Sequence, residues 1–178
     1  MEMLRYGALS QADIGPDLLD GFCRRQKVMR CWRKEDGGWL LRDVPFTEDW
    51  DLSDLAQVLA GLAAAKALGG AVDAAFEGDA VVGFAVLEGE LFGGELQYLQ
   101  LSSLHVSLEH RGHGIGKTLF IRACDEARAR GARKLYISAH SSQETQAFYR
   151  AMGCVEALEY NQRLAAEEPC DCQLEFVL

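Results

Sequence analysis

The stretch Leu104-His105-Val106-Ser107-Leu108-Glu109-His110-Arg111-Gly112-His113-Gly114-Ile115-Gly116-Lys117 is where residue type and spacing first suggest chemistry. A strand pattern ends, a short loop follows, and a helical pattern begins inside a glycine-rich segment. The first amides of a helix have no intrahelical partner, and the helix dipole there favours an anion. Glycines at 112, 114 and 116 remove the side chains that would hold a phosphate away from those amides. Arg111 and Lys117 add positive charge on either side, Ile115 is the first apolar residue of the helix, and His113 is a tolerated loop position. The pattern is neither G-x-G-x-x-G nor G-x-x-x-x-G-K-[ST]. Spacing alone leaves two readings open, an anion-binding turn and a flexible connector.

Groups able to move protons are few. His140 follows the apolar run 134–139 at its C-terminal end, where parallel-sheet sites are built. It reads either as a base or as a loop histidine bonded to backbone. Gln100 and Ser102 do not ionise usefully but can relay a water, and Glu95 is a further acid. His105 alternates away from Gln100 and Ser102 on an ideal strand, which makes it structural unless a bulge intervenes. Tyr149 sits beside the helix face formed by Ala147, Phe148 and Ala151, so its hydroxyl points into a cleft or into the core. Trp32, Trp39 and Trp50 line an acceptor pocket or fill the core.

These residues need elements to position them. Met3–Tyr6 reads as a short strand, and Ile14–Lys34 as helical, in one or two pieces, broken by Gly37-Gly38. Trp39–Val44 is a strand or an extended loop. Asp51–Leu68 is a helix in which Leu52, Leu55, Leu59 and Leu62 recur, ended by Gly69-Gly70. Val72–Phe76, Ala80–Leu87 and Tyr98–Ser107 are strands, with a turn at Glu77-Gly78-Asp79. Gly112–Arg130 is an amphipathic helix capped by Gly131, and it leads to a strand at Lys134–Ala139. A helix at Gln143–Met152, capped by Gly153, and a last strand at Cys172–Leu178 complete the chain. The class is α/β: a mixed, mostly antiparallel sheet with one parallel strand–helix–strand crossover and helices on both faces.

Bulk properties narrow the function. With 49% hydrophobic and 25% charged residues over 178 positions, the chain has enough apolar surface for a full core. No apolar run is long enough to span a membrane, and the start MEMLRYGALSQAD has no leader character, which points to the cytoplasm and to six reduced thiols. Cys170-Asp171-Cys172 lacks metal-site spacing, so no metal is expected. A net charge of -9 disfavours nucleic acid and favours a cationic acceptor such as an amine. The charge is uneven: residues 22–34 hold six basic residues and no acid, leaving the remainder at -15. That run reads as a solvated helix face or as a basic wall for a phosphate or carboxylate.

Arg111-x-x-Gly114-x-Gly116 after a strand ending Leu104-x-Val106 resembles motif A of the GCN5-related N-acetyltransferases (GNAT). Lys134-Leu-Tyr-Ile-Ser-Ala and the helix Gln146-Ala-Phe-Tyr-Arg-Ala-Met-Gly153 are similar to motif B of that family. The resemblance covers residues 70–158, and the N-terminal third matches in element order. It implies one GNAT domain over 1–178, with 1–70 binding the acceptor, 71–158 binding acetyl-CoA and 159–178 adding the last strand.

It further implies pyrophosphate on the amides of 112–117 and pantetheine along 98–107, where that strand splays from 134–139. The backbone at Leu104, His105 and Val106 would then flank pantetheine, and one backbone N–H would polarise the thioester carbonyl. Tyr149 matches the family's general acid at the CoA sulfur, and Ser142 stands where many members carry a CoA-contacting asparagine. The strand positions that often carry an acidic base are Gln100 and Ser102 here. The implied reaction is acetyl transfer from acetyl-CoA to a small primary amine by direct attack in a ternary complex. An acyl-CoA sensor without turnover, O-acyl transfer and a protein amine acceptor remain alternatives. The exposed edge of the last strand would allow a homodimer.

Overall fold

The apolar runs build a seven-stranded mixed sheet in the computed structural model, which describes residues 3–178. Met1 and Glu2, the start of the stretch read for leader character, lie outside the described residues. The strands are β1 (Leu4–Ala8), β4 (Ala71–Glu77), β5 (Ala80–Leu87), β6 (Tyr98–Val106), β7 (Lys134–Ala139), β8 (Val155–Glu156) and β9 (Cys172–Val177). Their order is β1-β4-β5-β6-β7-β9-β8, antiparallel throughout except for β6 and β7.

Helices cover both faces. On one lies α1 (Leu52–Ala67), opened by a capping box in which Asp51 accepts from the Asp54 N–H and Asp54 from the Asp51 N–H. It packs Leu55, Leu59, Leu62 and Ala65 against Val72, Ala74, Phe84 and Val86, whereas Leu52 at its first position is exposed. On the other face α2 (Ile115–Ala129) buries Ile115, Leu119, Phe120, Ala123, Cys124 and Ala127 against β4–β7. The short helix α3 (Gln143–Met152) follows β7 on that same side. A satellite cluster of Tyr98, Tyr136, Ala157 and Leu164 lies under α4 (Gln162–Glu167), a six-residue helix too short to register as a periodic signal.

The largest departure from the sequence reading falls in 14–34. Gln11–Asp13 is a 3₁₀ turn, turns follow to residue 21, and β2 (Gln26–Glu35) pairs with β3 (Gly38–Glu48) as a separate two-stranded ribbon. Val28 and Cys31, the two fully buried residues of β2, stand three apart and so imitate one helix face. Asp36 and Gly37, at φ +49° and +79°, form the tight turn that the twist of a ribbon favours. The ribbon packs across the end of β7, where the Trp32 N–H donates to the Ser141 carbonyl.

The last strand also differs from expectation. β9 is not an edge: Val155 and Glu156 of β8 pair with Glu175 and Leu174 on its outer side. The edge offered there is two residues long, which removes the observation that suggested a dimer.

Candidate active site

Parallel pairing of β6 with β7 runs only from Tyr98↔Lys134 to Gln100↔Tyr136, after which the strands diverge. On its other side β6 carries a bulge: Leu87 opposes Leu101 and Val86 opposes Ser103, so Ser102 is the extra residue. The Ser107 N–H donates to the carbonyl of Val82, directly opposite it. Hydrogen-bonded pairs alternate in an antiparallel ladder, so Ser103 and His105 bond toward β5 while Leu104 and Val106 turn their N–H and C=O groups toward the gap. The gap opens into a cleft of about 730 Å³ bounded by β6, the glycine turn, β7 and α3.

At the mouth of this cleft Gly112 and Gly114 adopt φ +79° and +81°, and Gly114 is the N-cap of α2 with no side chain capping it. The helix therefore begins at Ile115, three residues later than the pattern suggested. A Cβ on either glycine would meet nothing within 4 Å, so no neighbouring atom crowds the side-chain side of this turn. Gly116 lies closer to a neighbour, with the Phe148 ring 3.4 Å from where its Cβ would stand. Lys117 and His113 are exposed, and Lys117 lines the cleft.

Arg111 lines the cleft too, yet its guanidinium is engaged elsewhere. It donates to the carbonyls of Val106 (2.9 Å), Arg25 (2.9 Å) and Arg24 (3.0 Å), tying the segment before β2 to the end of β6. The basic run divides. Arg24 is buried, pairs with Glu48 at 2.8 Å and lies over the Trp50 ring, while Arg25 and Lys27 are exposed and line the cleft. Trp50 stacks into the cluster of Phe22, Phe84 and His105, and Trp32 and Trp39 pack along the ribbon. Among the described residues no tryptophan lines the cleft.

Tyr149 is 6% exposed, its ring edge-on to Phe120 and Phe148, and it lines the cleft. Its hydroxyl has no hydrogen-bond partner among the described residues, and burial drives its pKa far above the ordinary phenol value, with Cys154 adding to the effect. His140 lines the same cleft, packed edge-on against Phe46, and its Nδ1 accepts from the Ser142 N–H at 3.1 Å. In the neutral ring the proton is then carried on Nε2. That geometry matches the loop-histidine reading and leaves no lone pair for a base.

Ser142 departs from its expected role. It is fully buried and its hydroxyl caps α3, accepting from the Thr145 N–H. His105, shifted by the bulge, packs against Trp50 (4.9 Å between ring centres) and Phe84 (5.4 Å). Withdrawal from water pushes its pKa down to about 3, with Arg24 and Arg111 contributing, so the ring is neutral. Glu95 lies before β6, at the end remote from the cleft, and pairs with Arg133.

One carboxylate escaped the sequence reading. Glu88 follows β5, and its side chain accepts from the Ser102 hydroxyl. The two are diagonal neighbours across β5 and β6, a pairing set by the register of the two strands.

Residues 29–154 match the acetyltransferase (GNAT) family, and the chain belongs to that family. It is thus an acyltransferase with the fold its motifs implied. A nourseothricin acetyltransferase structure shares 20% identity, with 98% of each chain covered and a TM-score of 0.69. A Bacillus anthracis chain assigned as a streptothricin acetyltransferase, solved in complex with acetyl coenzyme A, shares 14% over 99% of each chain at a TM-score of 0.73. The PaiA N-acetyltransferase of Thermoplasma acidophilum, in complex with coenzyme A, shares 13% over 99% of each chain at 0.59. These likenesses establish fold. No curated protein sequence matches the chain.

Proposed function

We propose that this chain transfers the acetyl group of acetyl-CoA to a primary amine of a small cationic molecule, by direct attack within a ternary complex. The observation that carries the reading is the backbone edge of β6, unpaired beyond Gln100 and continuous with an open glycine turn at the start of α2. The amides of residues 112–117 hold the pyrophosphate, with Lys117, Arg25 and Lys27 supplying charge at the rim. Arg111 supports the site by fixing the 24–25 segment. Leu104 and Val106 pair with the pantetheine amides, His105 backing them from the opposite face, and a β6 N–H polarises the thioester carbonyl.

Tyr149 keeps its proton, given its raised pKa, and acts as a hydrogen-bond donor to the sulfur as negative charge develops there. His140 donates from Nε2 toward the acceptor. An acyl-CoA sensor would have no use for an unpartnered tyrosine hydroxyl beside the diverging strands, and this favours turnover.

Residues 71–158 form the cosubstrate portion and 1–70 the acceptor portion in this reading. Two of the similar structures are named for nourseothricin and for streptothricin, and a net charge of -9 draws cations. A polyamine-like or aminoglycoside-like acceptor therefore heads the panel. Six unpaired thiols fit a reducing compartment, the cytoplasm. The test is thiol release from acetyl-CoA against nourseothricin, spermidine, lysine and an aminoglycoside. Release with one of them supports the reading, and acetyl-CoA binding without release to any amine would favour the sensor.

A further inference from the structure

We propose that Ser102 and Glu88 form a proton relay on the acceptor side of the diverging strands, with Ser102 taking a proton from the incoming amine and Glu88 receiving it. This rests on the acetyl-transfer reading above.

Side chains before and after the bulge, Leu99 and Leu101 and then Leu104 and Val106, all pack on the α2 face of the sheet. Phe84 and Val86 of β5 pack on the opposite face, under α1. Glu88 lies two residues beyond Val86, and its N–H donates to the Gln100 carbonyl at 2.8 Å, which continues the ladder. Strand alternation therefore places Glu88 on the face opposite α2. Ser102 follows Leu101 in ordinary alternation and so takes the face opposite α2, where its Oγ meets Glu88 Oε1 and lies 3.5 Å from the Val86 carbonyl; the bulge changes the facing only of the residues after it. Ser102 lines the cleft, whereas Glu88 is half-buried behind it and reaches the cleft through the serine.

A serine has one O–H to give. Here it is given to Glu88, so what the hydroxyl offers the cleft is a lone pair, an acceptor for an ammonium N–H. Glu88 joins no ion pair among the described residues, so no cation competes for its charge. An alkylamine with a pKa of about 10.4 is mostly ammonium at neutral pH and must lose a proton before it can attack. In the relay the ammonium N–H bond breaks, an O–H bond forms at Ser102 Oγ, and the original serine proton passes to Glu88 Oε1. The neutral nitrogen then forms its bond to the acetyl carbon while the carbon–sulfur bond breaks. Its second proton ends on the sulfur, and the proton on Glu88 leaves to solvent. One proton is released overall for each acetyl transferred from an ammonium.

Glu88→Gln is the discriminating variant, because the amide oxygen still accepts from Ser102 and only proton acceptance is lost. With the amine turned over fastest by the wild type, kcat at pH 7 should fall about 100-fold, the scale of general-base assistance, with KM for acetyl-CoA unchanged. The deficit should shrink toward pH 10, where the amine is largely neutral before it binds. Ser102→Ala should match that loss, and the double variant should lose no more than either alone. Wild-type kcat in Glu88→Gln, or a deficit that is constant with pH and joined by a raised KM, would overturn the relay. Absence of thiol release by the wild type with every amine would instead overturn the transferase reading, and the relay with it.

Discussion

Replacing His105 by Phe should flatten the acid sensitivity of folding. The wild-type ring is held neutral in the folded state, its pKa pushed down to about 3 among Trp50 and Phe84 and near the Arg24 and Arg111 cations. In the unfolded chain the same ring titrates at about 6.5, so below that pH the unfolded state binds a proton that the folded state refuses. Stability attributable to this residue is complete above about pH 6.5 and is lost progressively as pH falls toward 3. At pH 5 the solution is about 1.5 units below the pKa of the unfolded ring, which at about 1.36 kcal/mol per unit is a loss of about 2 kcal/mol relative to neutral pH. For a chain of this length that corresponds to a Tm lower by about 4–8 °C. Phe keeps the aromatic contacts and cannot titrate. Urea unfolding at pH 7 and pH 5 should show the wild type losing about 2 kcal/mol more than His105→Phe, carboxylate contributions common to both cancelling. Equal losses would refute the picture of a neutral, enclosed His105.

Tyr149→Phe should lower kcat about 10- to 100-fold while leaving acetyl-CoA affinity and Tm nearly unchanged, since the hydroxyl has no hydrogen-bond partner among the described residues; full activity would assign Tyr149 to the core. Arg111→Ala removes donors from three carbonyls and should cost about 2–4 kcal/mol in urea unfolding, with faster proteolysis near Arg24–Arg25. Unchanged stability would mean that the clamp is not formed in solution. Asp51→Ala breaks a reciprocal cap and should lower stability by about 1 kcal/mol, read in the same assay.

The central part of the fold, from α1 to α3, was legible because its signals are local. The α2 face of six apolar residues and the runs of β4 to β7 lie where periodicity placed them. The glycine turn was legible as a turn because its left-handed positions, Gly112 and Gly114, favour glycine. The ribbon was not, since Val28 and Cys31 at a three-residue spacing gave a helical signal that only cross-strand pairing with β3 overrides. Arg111 could be read as a cation near an anion site, but its three carbonyl partners lie across the chain at 24, 25 and 106. Ser142 followed family position, yet this chain spends its hydroxyl on a helix cap. The Ser102 bulge changed most, because a single unpaired residue leaves composition and apolar pattern intact while moving every later side chain of β6 to the other face.

Calorimetric titration with acetyl-CoA of the wild type and of Gly114→Glu tests the central claim most directly. Gly114 sits at φ +81° with free space beyond it, so a glutamate there adds backbone strain of about 1–2 kcal/mol and points a carboxylate at the amides proposed to hold pyrophosphate. With far-UV circular dichroism confirming that the variant is folded, the expected result is saturable binding by the wild type and at least a 100-fold weaker association for Gly114→Glu. Equal affinity in the two proteins would contradict the account.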